Sequence, residues 1–172
     1  AGAASCRITN RPGRPVQGAS VDNAARYVRD DCEANALFLQ SGGDAGSSQN
    51  GSPGDAVLLV SCDLVGLERD VLEPVCERIA AATALEADQV IVAGTHMHSG
   101  PSLLRTNYLK PVDQEYVAWL QEELVAVGLE AWHSAAPARL GWGLGRARIG
   151  YNRRCCWADG THTMHGDTRR PD

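Results

Sequence analysis

Residues 56–63 read Ala-Val-Leu-Leu-Val-Ser-Cys-Asp and residues 89–94 read Gln-Val-Ile-Val-Ala-Gly, two short apolar runs on either side of a segment with a different rhythm. Within that segment, residues 65–82, Leu67, Val71, Val75 and Ile79 return every four positions and lay one apolar stripe along a helix. Pro74 falls inside it. Lacking an N–H, it predicts either a kink or a true helix start near Leu72. The runs at 56–60 and 88–93 are too short for helices and read as buried strands, the second ended by Gly94. Strand, helix and strand in this order make a parallel crossover unit, whose two strands end at the same edge of the sheet. Asp63, His96 and His98 are thereby predicted at one edge, where open α/β sheets build their sites.

Outward from this unit, Cys6, Arg7, Ile8 and Thr9 read as a short strand closed by the turn residues Asn10, Pro12 and Gly13. Residues 34–40 read as a second strand, in which Ala36, Phe38 and Gln40 alternate with Leu37 and Leu39. That pattern predicts apolar cover on both faces and an interior position. Residues 41–55 are Gly, Ser, Asn, Asp and Pro with almost no apolar side chains, and read as a long flexible hairpin loop. They include Asn50-Gly51-Ser52, a glycosylation acceptor pattern short enough to arise by chance. Asp113 is placed to cap a long helix with Tyr116, Leu120, Leu124 and Val127 on one face, and residues 140–148 read as a further strand. The expected fold class is α/β, a mixed β-sheet with packed helices, in one domain over residues 1–172 without internal repeats.

The 172 residues are 44% apolar and 22% charged, with a net charge of −5. An acidic excess without a Lys/Arg cluster excludes a nucleic-acid surface, which needs a concentrated basic face. The longest apolar run, residues 56–60, is far below the roughly 18 to 20 residues that span a bilayer, so no transmembrane helix is expected. The opening Ala1-Gly2-Ala3-Ala4, without Met, reads as a processed or cut start. The polar residues 155–172, ending Arg169-Arg170-Pro171-Asp172, read as an interruption. Cys6, Cys32, Cys62, Cys76, Cys155 and Cys156 form no C-x-x-C pair and no zinc-finger spacing. Cys62 and Cys76 fit as small buried apolar residues. Cys155 and Cys156 fit either free thiols or pairs formed in an oxidising compartment.

The stretch that carries chemistry is Gly94-Thr95-His96-Met97-His98-Ser99-Gly100-Pro101. Two histidines at i and i+2 on an extended segment project to one side, and neutral imidazole is a common zinc ligand. Gly94, Gly100 and Pro101 allow a sharp turn around the point the rings face. His-x-His alone fits a polar pair packed at a strand end more readily than a metal site.

The wider pattern resembles the neutral/alkaline non-lysosomal ceramidase family, whose signature is a Thr-His-x-His-Ser/Ala-Gly-Pro turn after a strand. Cys6-Arg7-Ile8-Thr9 with Gly13 resembles the family's N-terminal strand and turn. Residues 131–139, Gly141 and Gly150-Tyr151-Asn152-Arg153-Arg154 resemble its Asn-Arg segment. The resemblance runs from Cys6 to Arg154, and the histidine turn is its specific part. It implies a zinc-dependent amidase acting on an N-acyl, ceramide-like lipid through metal-activated water, with Zn2+ as cofactor. His96 would ligate the zinc, His98 would stand beside the substrate or the activated water, and Arg153 would hydrogen-bond the amide oxygen or polar head. Further ligands of the family, a second His, a Glu and a Tyr, come from later sequence and find no match here. The resemblance therefore implies an incomplete N-terminal portion of a larger catalytic domain. Its partners would be the remaining catalytic-domain sequence or further copies of the chain, with peripheral membrane contact and a secreted or extracellular setting. An open sheet edge would favour self-association.

Other candidates have plainer readings beside the functional one. His162 and His165 are extra ligands if the tail folds back, or members of a polar loop flanked by Gly160 and Gly166. His133 ends the long helix, where it complements the helix dipole. Asp63 either caps the following helix or orients a histidine. Trp119, Trp132, Trp142 and Trp157 fit core or interface positions, and Trp142 and Trp157 also fit an acyl-chain groove. Two rival functions remain open: a non-catalytic remnant or interaction module of the same fold, and an amidohydrolase barrel. A barrel needs about 250 residues and places this motif on its first strand.

Overall fold

The computed structural model of the chain describes residues 1–18, 24–41, 56–104, 112–149 and 154–164. It divides into two compact units, Ala1–Ala138 and Arg139–Asp172, each taken separately.

In the first unit, β1 (Gly2–Arg7), β2 (Glu33–Gln40), β3 (Ala56–Cys62) and β4 (Val90–Gly94) form one sheet in sequence order. β1 pairs with β2 and β2 with β3 antiparallel, whereas β3 and β4 are parallel, with Cys62 opposite Gly94. The sheet is thus mixed and open, within an α/β fold, and not a closed parallel barrel. The crossover from β3 runs through α1 (Arg69–Ala82) and a 3-10 turn at Ala87–Gln89. Gln89 Nε2 donates to the Ala56 carbonyl at 3.0 Å and ties the return of the crossover to the start of β3.

α1 begins one turn before Leu72, with Glu68 at its N-cap, so Pro74 lies inside the helix rather than in its first turn. Position 74 therefore supplies no N–H for the Asp70 carbonyl. The expected stripe holds: Val71, Val75 and Ile79 are buried. α2 (Gln114–His133) is capped by Asp113, whose side chain accepts from Tyr116 N, and it buries Tyr116, Leu120, Leu124 and Val127 as its periodicity predicts. Gly128 of α2 permits the close approach of α1: a Cβ there would stand 2.8 Å from Ile79 Cδ1.

Both helices cover the same face of the sheet. Ala34, Ala36 and Phe38 of β2 and Leu58, Val60 and Cys62 of β3 join Val75, Ile79, Leu120 and Leu124 in one core. Each fully buried large apolar side chain there contributes about 1.5–3 kcal/mol. β2 is interior as expected, but only one of its faces is covered, and Leu37 remains 39% exposed. The Leu37 and Leu39 alternation belongs to the face away from the helices.

The second unit contains an antiparallel pair, β5 (Arg154–Cys156) and β6 (His162–Met164), within a stretch that reads as a polar tail. Asp159 Oδ1 accepts from both N and Oγ1 of Thr161, closing the turn between them. His162 is consequently a strand residue rather than a loop residue. The strand expected at 140–148 does not form: residues 139–149 join no ladder among the described residues, and Leu140, Trp142 and Leu144 are exposed. Alternating apolar side chains mark a segment able to pair, but a strand exists only where a partner supplies its hydrogen bonds. The hairpin-loop expectation for 41–55 and His165 fall outside the described residues, Ser41 apart.

Candidate functional site

β3 and β4 run parallel and in register, so the residues after them meet at one sheet edge. Thr95 N donates to the Cys62 carbonyl at 2.9 Å, and Thr95 Oγ1 donates to Asp63 Oδ1 at 3.2 Å. The other oxygen of Asp63 accepts from Glu33 N at 3.1 Å. Asp63 therefore braces the edge between three strand ends. It does not cap α1, whose N-cap is Glu68, and its two oxygens accept from Thr95 and Glu33.

His96 leaves the strand with φ at 64°, in the left-handed region. For a residue with a side chain this costs about 1–2 kcal/mol. Two hydrogen bonds offset it: His96 N donates to the Leu64 carbonyl at 2.9 Å, and Nδ1 lies 2.8 Å from the Val65 carbonyl oxygen. A carbonyl can only accept, so Nδ1 carries a proton, and in the neutral imidazole Nε2 keeps its lone pair. That is the tautomer for ligation through Nε2. The His98 ring lies with its centroid 4.7 Å from that of His96, at 66°. The two rings meet because His96 bends the chain, not because they alternate along a strand, which ends at Gly94. Both side chains are exposed.

Among the described residues, no group of three or more His, Cys, Asp or Glu converges as a metal site. The imidazole of His96, hydrogen-bonded through Nδ1, and that of His98 beside it would fit part of a donor set and do not make a whole one. Arg153 lies outside the described residues, as do Gly150, Tyr151 and Asn152. Arg154 opens β5 in the second unit and is exposed. His133 ends α2, with its ring 4.9 Å from that of Trp132.

A cavity of about 320 Å³ lies behind the turn, lined by Met97, Ser99, Gly100 and Pro101 and by Arg14 and Tyr27 across from them. Of this lining, Met97 and Ser99 alternate in sequence with the two histidines.

The cysteines offer no nucleophile in this unit. Burial, then the nearby Glu123, pushes the Cys6 thiol up to about 11, and burial pushes Cys62 up to about 12. Both remain protonated at neutral pH. All six cysteines are free thiols.

Sequence reading missed the support from Val65, because a main-chain carbonyl leaves no trace in residue identity. It also missed Gln17, whose side chain is bound to residues 103 and 104.

No known family model and no curated protein matches the chain. Among solved structures, it is similar to the neutral ceramidase from Pseudomonas aeruginosa, with a TM-score of 0.63 and 18% identity over 77% of this chain and 21% of that one. It is likewise similar to a structure described as ceramidase complexed with C2, with a TM-score of 0.61 and 19% identity over the same shares. The chain spans about a fifth of the length of these structures, and the likeness establishes a shared fold.

Proposed function

We propose that this chain is the N-terminal portion of a zinc-dependent amidase domain of the neutral ceramidase kind, acting on the amide bond of an N-acyl sphingoid lipid. The observation that carries the reading is the His96 turn: an exposed imidazole with Nδ1 engaged by Val65 and Nε2 left with its lone pair, beside the ring of His98. The likeness to ceramidase structures supports the substrate class.

In this reading His96 would hold the zinc, and a bound zinc would supply Lewis acidity and lower the pKa of water to about 7. His98, one ring away, takes the proton released on attack at the amide carbonyl and hands it to the departing amine. Arg153, as the resemblance implies, would hydrogen-bond the amide oxygen or the substrate's polar head. The remaining ligands belong to sequence beyond the matched fifth of the domain.

A non-catalytic member of the same fold is the second reading. It is favoured by the lack of three converging ligands among the described residues. Zinc binding by calorimetry, measured for the chain and for His96→Ala, separates the two. The amidase reading expects weak zinc binding by the chain that the variant loses, together with slow release of fatty acid from an N-acyl sphingosine. Equal zinc binding by both proteins and no hydrolysis by either would overturn it.

A further inference from the structure

The two imidazoles stand on separate supports. His96 is held by carbonyls at the end of β3, through Leu64 and Val65. His98 lies in the following turn, and the chain beyond it, from Gly100 to Leu103, descends into the protein. That descent is gripped by residues 15–18. Gln17 N donates to the Gly100 carbonyl at 2.8 Å and Ser102 N to the Pro15 carbonyl at 3.2 Å, flanking a bridge between Val16 and Pro101.

The Gln17 side chain, 3% exposed, completes the grip. Its Oε1 accepts from Leu103 N at 2.9 Å and Leu104 N at 3.0 Å, while Nε2 donates to the Leu104 carbonyl at 3.1 Å. One amide thus satisfies three main-chain groups that pair with nothing in the sheet. Gly18, next to it, has φ at 103° and lies against the His98 backbone. A Cβ at position 18 would come within 2.3 Å of His98 Cα. No side chain fits between them, so the Gly18 backbone bounds how far His98 can move toward it.

We infer that Gln17, with Gly18, is a positioning element for His98 that acts independently of the support of His96. The inference rests on the reading above in giving the two histidines different tasks. It predicts that loosening this latch separates those tasks: metal binding through His96 persists while the chemistry of His98 is lost.

The test uses the full chain with Gln17→Leu, which removes the three side-chain hydrogen bonds, and Gly18→Ala, which presses on His98 without touching the amide. Three quantities are read: the nuclear Overhauser effect between the His96 and His98 rings, zinc affinity by calorimetry, and kcat with KM for an N-acyl sphingosine. In both variants the ring-to-ring effect is lost and zinc affinity stays within about twofold. A displacement of about 1 Å lowers kcat by about a hundredfold with KM little changed. Unfolding of Gln17→Leu leaves Gly18→Ala to decide. An unchanged ring-to-ring effect in a folded variant, or zinc affinity falling in step with it, would overturn the inference. A wild-type chain that neither binds zinc nor hydrolyses the lipid removes the amidase reading alone, since the ring-to-ring effect still reports on the latch.

Discussion

The Nδ1 nitrogen of His96 lies 2.8 Å from the carbonyl oxygen of Val65, a residue of the loop that follows the neighbouring parallel strand. A side chain at the end of one strand is thereby oriented by main chain at the end of the next. The same bond and His96 N to the Leu64 carbonyl hold a left-handed residue in place.

His96→Gly and His96→Val should accordingly diverge in stability. Glycine relieves a left-handed strain of about 1–2 kcal/mol while losing a hydrogen bond worth about 1 kcal/mol, so the change is close to neutral. Valine is β-branched and least suited to positive φ, so it should destabilise by about 2 kcal/mol. Urea titration of both variants checks this. Equal stability would mean that position 96 does not hold the left-handed conformation in solution.

Asp63→Ala should weaken the sheet edge but spare the imidazole. It frees Thr95 Oγ1 and Glu33 N, two partly solvated groups, at a cost of about 1 kcal/mol. His96 is held by other atoms, so its zinc affinity should remain within about twofold. Calorimetry on the variant reads this directly, and a tenfold loss would make Asp63 part of the imidazole's support.

Alkaline pH should erode stability. The Cys62 thiol rises from its ordinary value of 9.0 to about 12 through burial, and Tyr116 is also raised by burial. In both, the folded state keeps a proton that the unfolded chain releases. Their stabilisation is complete below pH 9 and falls as pH rises toward 12, by up to about 1.4 kcal/mol per pH unit for each group. Urea midpoints between pH 8 and 11 should decline, and Cys62→Ala should flatten the part that begins near pH 9. A midpoint independent of pH would contradict the burial of both groups.

Gly128→Ala and Gly128→Leu probe the contact between the helices. Alanine gains about 1 kcal/mol of helix propensity but must displace Ile79 Cδ1, which leaves it near neutral. Leucine overpacks the contact and should destabilise by about 1–3 kcal/mol. Thermal unfolding of the two variants distinguishes crowding from propensity.

Periodicity made the crossover legible. Four-residue spacing in residues 67–79 between two apolar runs admits few arrangements, and β3, α1 and β4 follow it. The Asp113 cap was legible for a similar reason, since the residue type and the apolar face after it agree. Residues 140–148 were misread because alternation records a side-chain pattern and says nothing of whether a partner strand is present. The β5 and β6 pair was missed because each strand has only three residues, too few to show a period, and a turn closed by Asp159 organises them. Of the site, the histidines announced themselves and their supports did not. The Gln17 side chain meets a main-chain group 86 residues away, a separation at which one sequence carries no pairing signal.

The fastening of His96 has a consequence for how freely this corner can change. The groups that grip it at residues 64 and 65 are peptide oxygens, which every amino acid carries. Leu64 is confined by its burial, but Val65, half-exposed, can be exchanged for side chains of other size and polarity without disturbing the grip. Related sites can therefore diverge at this position and still aim an imidazole in the same direction, so a search that scores residue letters passes over the anchor altogether.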